Sequence, residues 1–459
     1  MKKTVTAVIA IFASVCALAQ SIGPDELKQI RGSFKKDSAT VALQNVISHN
    51  VNLPALAANH ANAAKVDNYF KYKVTPLKKV MDQYTSGRCW LFTSLNYIRP
   101  LAIEKFNVDD FTYSPNFCSF WDLFEKCNHA LEIAIELRNE DINCPKLAHY
   151  YRTGLRDGGE WHSFITVAQK YGVVPEEVMA ETAHSNATAN MRDVLNLKMK
   201  AESWNLREMS RKGASEKALR EYKVKVMGEI YRILALCLGE PPVEFTWNYT
   251  DRDGKRHSIK TTPLEFFKSI VPQEFTDSRV MIMNDATHEY YKVYTIKDYT
   301  NAIEGVTWTY LNLPADDIKQ SVLASIKNNE AVYTCCDWSK ERLLPENVMA
   351  IGNYDYESLF GMSFAMPKEA REYTRYSKSA HVMLITACDT DETDKPLKWQ
   401  LFNSSFSAGA KERLIFTDDW FGEYVFRIVL DRKYLSEKAA DALNSKPESF
   451  PLYQFEFLH

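Results

Sequence analysis

Four side chains in this sequence have the types and the order that thiol-based hydrolysis requires. Cys89 is the candidate nucleophile, His381 the general base, Asn403 the group that orients the base, and Gln83 a donor to an oxyanion. A thiol needs a base to take its proton, and the negative oxygen formed on a substrate needs N–H donors. Each residue alone has a more ordinary explanation as a structural or surface residue, so it is the combination that indicates catalysis.

The segment around Cys89 predicts a turn followed by a helix. Residues 85–88 contain a serine and a glycine and are typical of a turn. Apolar residues then recur at helical spacing, at Leu91, Phe92, Leu95 and Ile98. Cys89 should therefore lie in the first turn of a helix, where the free N–H groups and the helix dipole would lower the pKa of its thiol.

The candidate base and its partner are predicted to lie on neighbouring strands. His381 directly precedes the apolar run 382–387, and Asn403 directly follows the apolar run 399–402. If these strands pair, the amide oxygen of Asn403 can accept a hydrogen bond from the imidazole and fix its tautomer. A further strand is predicted at 425–430.

The remaining elements indicate an α+β fold, with helices early in the chain and strands late. Helices are predicted at 121–137, at 164–170 and over 195–238, the last interrupted at Gly213 and restarted at Ser215 as N-cap. Alternating aromatic residues at 245–249 and a return strand at 257–260 predict a β-hairpin.

Composition and the first residues bear on location and partners. The 459-residue chain has a formal net charge of -3, so nothing in its overall charge favours nucleic acid as a partner. Residues 1–19 have the two lysines, the short apolar run and the small residues before a cleavage point that are typical of a signal peptide. We therefore expect export to a periplasmic or secreted location. No other stretch is long and apolar enough to predict a membrane span.

The cysteines and histidines do not predict a metal site. Eight cysteines follow residue 19 without a C-x-x-C pair, and the histidines show no H-E-x-x-H spacing. We therefore expect neither a metal nor another cofactor. The spacing leaves the disulfide state open.

The order Gln83, Cys89-Trp90, His381 and Asn403-Ser404 resembles the papain-like cysteine peptidases. In that group the histidine and asparagine follow the cysteine by about 130–150 residues, and here the separation is roughly 150 residues longer. Within the group, the chain resembles the bleomycin hydrolase and aminopeptidase C family from about residue 25 onward. The motifs that carry this resemblance are SGRCWLF at 86–92, DGGEW at 157–161, YGVVP at 171–175, LGEPPVEFTW at 238–247, TPLEF at 262–266 and DWFGEYV at 419–425.

The resemblance implies a papain-like fold, with a helical half and an antiparallel β-barrel-like half. It also implies a helical and hairpin insertion at about 195–330 and a homohexamer with its sites facing a central cavity. A C-terminal arm at 452–459 would lie in the cleft and restrict the enzyme to the N-terminal residues of peptides. On this basis the expected substrate-binding residues are Gly158, Gly159, Ala380 and His459.

Three positions near the candidate site depart from the family pattern. The family usually has tryptophan and glycine after Asn-Ser, where this chain has Ser405 and Phe406, and it commonly has a polar residue where this chain has Ala380. These departures leave a catalytically weak or inactive scaffold that binds peptide or a partner protein as the alternative hypothesis. A nucleic-acid-binding hexamer is a third hypothesis, which the near-neutral charge disfavours.

Overall fold

The structure is a computed structural model that describes residues 21–75, 77–344, 346–406 and 410–452. Contacts divide the chain into two units, residues 1–57 and 58–459. The described part of the first unit contains helices α1 (Pro24–Ser33), α2 (Ser38–Ser48) and α3 (Leu53–Ala57). The predicted signal peptide at 1–19 lies outside the described residues.

The second unit contains a group of helices that precede most of the sheet in the chain, and further helices between and after the strands. The early ones are α4 (His60–Ala63), α5 (Cys89–Lys105), α6 (Pro115–Glu136), α7 (Pro145–Thr153), α8 (Trp161–Tyr171), α9 (Ala183–Asn186), α10 (Ala189–Arg211), α11 (Glu216–Leu238), α12 (Pro263–Ile270) and α13 (Gln273–Ser278). The later ones are α14 (Ala315–Lys327), α15 (Tyr356–Phe360), α16 (Lys368–Tyr373), α17 (Asp418–Tyr424) and α18 (Glu437–Leu443).

Most strands of the described chain join one large sheet of 12 strands. Its members are β1 (Tyr72–Lys73), β4 (Arg279–Met283), β5 (Lys292–Lys297), β6 (Thr309–Asn312), β7 (Val332–Cys336), β8 (Arg342–Leu343), β9 (Val348–Met349), β10 (His381–Thr390), β11 (Pro396–Phe402), β12 (Arg413–Thr417), β13 (Val425–Asp431) and β14 (Glu448–Pro451). The order is β14-β5-β6-β4-β13-β7-β10-β11-β12-β9-β8, with β1 paired to β10. Strands β2 (Phe245–Thr250) and β3 (Arg256–Thr261) form a separate hairpin.

Strand β10 lies in the interior of the sheet and is buried on both faces. Val382 and Leu384 belong to the apolar core shared with α5, α6 and α8, whereas Met383 and Ile385 belong to a second core shared with α14 and α17. Side chains alternate between the faces of a strand, so an apolar run without polar interruption is what two covered faces require. Burial of these residues fixes the register of the strand that begins with His381.

The structure confirms the predicted elements around the candidate site. A helix begins at Cys89, strands cover 382–387, 399–402 and 425–430, and the hairpin forms at 245–261. The long helical segment is divided in two, and the Ser215 side chain accepts a hydrogen bond from the N–H of Ala218. Residues 279–312, which lie within the stretch predicted as a helical and hairpin insertion, form three strands of the large sheet. Their side chains pack against distant segments, a property that local sequence patterns do not report.

Among the residues that the structure describes, no helix is long and apolar enough to cross a membrane.

Candidate active site

Cys89 is the first residue of α5 and lies where this helix meets strand β10. The backbone N–H groups of Val382 and Trp90 act on the Cys89 sulfur in the direction that lowers the pKa of its thiol. The hydroxyl of Thr93, one turn along the helix, donates to the carbonyl oxygen of Val382 at 3.0 Å. These contacts fix the start of α5 against the strand that begins with His381. The helix therefore presents the thiol beside the candidate base.

The turn before Cys89 is held by a buried ion pair. Arg88 is 1% exposed, and its guanidinium donates to both carboxylate oxygens of Glu181, at 3.1 and 2.6 Å. Its Nε donates to the Ser86 hydroxyl at 3.0 Å, and that hydroxyl donates to the carbonyl oxygen of Gln83 at 2.6 Å. Paired charges and satisfied polar groups make such a turn rigid. Gln83 and Cys89 are therefore held in a fixed relation.

His381 and Asn403 form the hydrogen bond that the sequence predicts. His381 Nε2 donates to Asn403 Oδ1 at 2.8 Å. The orientation of the amide follows from its other partners, because Oδ1 also accepts from the N–H of Ser405, and Nδ2 donates to the carbonyl oxygens of Ser405 and Lys411. An oxygen acceptor at Nε2 requires the proton to be on that nitrogen, which leaves Nδ1 free to accept a proton.

Ser404 connects this pair to the candidate oxyanion donor. The Ser404 hydroxyl donates to Gln83 Oε1 at 2.9 Å, and its carbonyl oxygen accepts from the Gln83 N–H at 2.8 Å. Gln83 Nε2 donates one hydrogen to the carbonyl oxygen of Ser86 at 2.7 Å. A primary amide has two hydrogens on nitrogen, so the second is the one that could reach a developing oxyanion.

The protein environment disfavours a charge on either member of the Cys–His pair alone. Burial raises the pKa of the Cys89 thiol to about 12, and this effect exceeds the opposing one of the Val382 and Trp90 N–H groups. Burial also lowers the pKa of His381 to about 4, against the hydrogen bond to Asn403. The backbone N–H at the helix start does lower the thiol pKa, as expected, but burial outweighs this effect. A charge on the thiol or on the imidazole alone is therefore disfavoured in this structure.

Cys89 and His381 line one cavity of about 840 Å³. Its walls include Gln83, Gly158, Gly159 and Ala380, together with residues of α7 and α10 and Leu452 at the end of β14. Every predicted site residue except His459 and Asn403 thus lines this cavity, and Asn403 joins the site through its hydrogen bond to His381. His459 lies outside the described residues, and Asn403 is fully buried behind His381.

Gly158 and Gly159 differ in how the protein surrounds them. A Cβ atom on Gly159 would lie 2.7 Å from the Trp90 ring, whereas a Cβ on Gly158 would meet no atom within 4 Å. The carbonyl oxygen of Gly158 accepts from Lys126 Nζ at 2.7 Å. The loop therefore packs Gly159 on the tryptophan that follows the candidate nucleophile.

Sequence reasoning missed two pairs of residues at this site. The Trp338 ring lies against His381, and the guanidinium of Arg342 lies over the ring of Trp338. Buried Arg427 and Glu160, which also line the cavity, are paired at 2.7 Å. Trp338 follows strand β7, and β7 lies beside β10 only in the folded sheet. No local sequence pattern therefore predicts that Trp338 contacts His381. The only available sequence signal was a tryptophan and an aspartate directly after a buried strand.

A helix that carries a cysteine, packed on a sheet in which the histidine-bearing strand pairs antiparallel with its neighbours, is the arrangement of papain-like cysteine peptidases. The sequence model of the peptidase C1-like family matches residues 21–454, in agreement with this arrangement. The chain belongs to that family. It is 34% identical over 386 residues to mouse bleomycin hydrolase, covering 82% of this chain and 85% of the relative. It is 31% identical to human bleomycin hydrolase, covering 95% of this chain and 98% of the relative.

Relatives and solved structures from bacteria agree with this assignment. Aminopeptidase C of Streptococcus thermophilus is 29% identical, over 93% of this chain and 96% of the relative. The crystal structure of PepW from Lactobacillus rhamnosis superposes with a TM-score of 0.87 at 31% identity, covering 94% of this chain and 97% of that one. The protein is thus a cysteine peptidase of the papain-like fold.

Proposed function

We propose that the protein is a cysteine-type aminopeptidase that releases N-terminal residues from peptides through a thioester intermediate. The observation that supports the exopeptidase mode is the composition of the cavity wall. Beyond Gly158 and Gly159, the wall is formed by residues of α7 and α10 and by Leu452. Under this proposal, these residues limit the substrate to a short stretch on the amino-terminal side of the scissile bond, as release of N-terminal residues requires.

The chemistry follows from the hydrogen bonds around the site. Cys89 Sγ attacks the scissile carbonyl carbon, and its proton passes to His381 Nδ1. The C=O π bond breaks as the S–C bond forms, and the N–H of Cys89 and Nε2 of Gln83 donate to the resulting oxyanion. When the oxyanion collapses, the C–N bond breaks and His381 gives the proton to the leaving amine. Water then attacks the thioester with His381 as base, which frees the acid and restores the thiol.

The two glycines and Ala380 are the candidate substrate-binding backbone. We favour Gly159 over Gly158 as the residue that pairs with the substrate main chain, because the carbonyl oxygen of Gly158 already accepts from Lys126. The arm after Leu452 is the candidate stop for the substrate's amino terminus. Seven residues follow Leu452 in the sequence, enough for about 23 Å of extended chain. The expected contact of His459 with the substrate remains a prediction.

Digestion of a defined set of peptides tests this function. Full-length protein with reductant should release single N-terminal amino acids and leave N-acetylated peptides intact. Cys89→Ala should abolish the release, and activity that survives this change would refute the assignment. A chain that ends at Leu452 should cut internal bonds, whereas unchanged products would place the stop elsewhere. Failure of a thiol-directed peptidyl inhibitor to label Cys89 would favour the inactive, peptide-binding scaffold.

We propose, in addition, that the protein is exported and assembles as a homohexamer. Export rests on the sequence of residues 1–19, and the hexamer rests on the family resemblance alone. N-terminal sequencing of the mature protein should begin at residue 20, and an unprocessed Met1 would contradict export. Light scattering of purified protein should give about six times the 52.8 kDa mass of one chain, and a monomer would contradict the assembly.

A further inference from the structure

An aromatic side chain from the loop after β7 covers the candidate base. The ring centroids of Trp338 and His381 are 4.4 Å apart, and the ring planes meet at 38°. Trp338 is half-buried and also lines the cavity that contains Cys89. Contact at this distance limits the rotation of the imidazole and removes water from one of its faces.

The loop that carries Trp338 is attached to the segment that leads into His381. The carboxylate of Asp337 accepts from the Ser377 hydroxyl at 2.9 Å and from the Lys378 N–H at 3.2 Å. In the sheet, Cys336 is the register partner of His381. Trp338 and His381 are therefore joined on both sides by short, buried connections, and the stacking is a fixed feature of the fold.

Arg342 supports the indole from β8, four residues further along the chain. Its guanidinium carbon lies 3.7 Å from the centroid of the Trp338 ring, within the range of a cation–π contact. Burial lowers the pKa of Arg342, and its positive charge contributes to the lowered pKa of His381. Arg342 therefore affects His381 in two ways, through the ring that it supports and through its charge.

The other groups near His381 do not provide this cover. Asn403 binds the ring edge at Nε2, Cys89 lines the same cavity from the start of α5, and Cys336 is the register partner of His381 on β7. The nearby carboxylate of Asp337 is engaged with Ser377 and Lys378. Ser405, which follows the candidate triad asparagine by two positions, is a small residue that fixes the Asn403 amide through its backbone.

We propose that Trp338 is a positioning residue for His381 and that Arg342 holds the indole in place. This inference rests on the proposed function, since it assigns Trp338 a role through the histidine. Trp338 would keep the imidazole in the plane required by Asn403 and keep water from their hydrogen bond. Residues that follow Asn403 in sequence would then not be needed for this purpose.

The test compares Trp338→Ala, Trp338→Phe and Arg342→Met in the full chain. Trp204 on α10 is the matched control, because Arg211 lies over its ring at 5.4 Å and Trp204 is exposed and does not line the cavity. Each variant is assayed for kcat and KM on an aminoacyl amide from pH 5 to pH 10. The pH dependence of Cys89 alkylation by iodoacetamide is measured in parallel, together with thermal unfolding.

Trp338→Ala should lower kcat by roughly ten- to a hundredfold with little change in KM, as expected for a misplaced base. Exposure of His381 to water should raise its pKa, so the alkaline limb of the alkylation profile should move to higher pH. Trp338→Phe should restore most of the activity, because it keeps an aromatic cover. Arg342→Met should move the same limb upward by roughly half a unit to one unit, since a positive charge is removed. Trp204→Ala should change none of these quantities.

Unchanged kcat and an unchanged alkaline limb in folded Trp338→Ala would overturn the inference. Loss of kcat without a shift of the limb would also overturn it, because that result indicates a general structural role. If Trp338→Ala does not fold, the limb of Arg342→Met decides, and its failure to move would overturn the proposal. Activity that survives Cys89→Ala would instead refute the proposed function, so the two failures are distinguishable.

Discussion

Gly159→Ala is expected to damage the site through Trp90, the neighbour of Cys89. The added Cβ would lie 2.7 to 2.9 Å from three atoms of the indole, whereas ordinary contacts begin at 3.4 Å. Trp90 is 1% exposed, and its Nε1 donates to the carbonyl oxygen of Asp157 at 2.6 Å. The hydrogen bond and the surrounding packing hold the ring in place, so either the ring or the 157–159 loop must shift by about 0.7 Å, the difference between the two distances.

Overpacking of this kind costs about 1–3 kcal/mol of folding free energy. A displacement that approaches 1 Å beside a nucleophile can cost about a hundredfold in rate. We therefore expect kcat/KM to fall by roughly ten- to a hundredfold, mainly through kcat. Hydrolysis of a fluorogenic aminoacyl amide measures the rate, and urea unfolding measures the stability of the same preparations.

Gly158→Ala is the matched control, because its Cβ would meet no protein atom within 4 Å. This variant should unfold at the wild-type urea concentration, and any effect on its kinetics should be confined to KM. If Gly159→Ala matches Gly158→Ala in both assays, the close packing of Gly159 on Trp90 does not determine the position of the nucleophile. The reasoning would then be refuted.

Three further predictions use other parts of the site. Asn403→Ala leaves the imidazole N–H without its buried acceptor, which costs about 1–3 kcal/mol. The kcat should therefore fall roughly 5- to 150-fold, and an unchanged kcat in steady-state assays would contradict this. Glu181→Gln leaves the buried charge of Arg88 without its partner and should lower the free energy of unfolding by about 3 kcal/mol or more, measured by urea titration. The control Glu208→Gln, at a surface ion pair, should lower it by under about 1 kcal/mol. Burial lowers the pKa of His162 to about 3. Below about pH 6.5 the unfolded chain therefore binds a proton that the folded chain does not. The free energy of unfolding should fall by about 3 kcal/mol between pH 6.5 and about pH 4. His162→Gln should lack this fraction of the acid sensitivity, and equal pH slopes for the two proteins would contradict the assignment.

The candidate site could be predicted from the sequence where local patterns carry the information. A turn followed by helical spacing placed Cys89 at a helix start, and two apolar runs placed His381 and Asn403 on strands. The hydrogen bond between them followed from the pairing of those strands. Each of these inferences depends on residues that are close in sequence to the one predicted.

The parts that could not be predicted depend on contacts between distant segments. The raised pKa of Cys89 reflects burial by several elements, while the sequence shows only the helix start. Trp338 meets His381 because β7 and β10 are neighbours in the sheet, and no local pattern encodes that neighbourhood. Strands at 279–312 were not recognised because their side chains are specified by the sheet that they join.

The hydrogen bonds between Gln83 and Ser404 have a consequence for the newly synthesised chain. The ribosome completes the segment with Cys89 long before it completes the segment with His381 and Asn403. Neither the proposed oxyanion donor nor the proposed base is in place until Ser404 has been made and has joined Gln83. Under the proposed mechanism, a nascent or partly folded chain therefore carries a thiol without its catalytic partners, and we expect no digestion of itself or its neighbours before its own fold is complete.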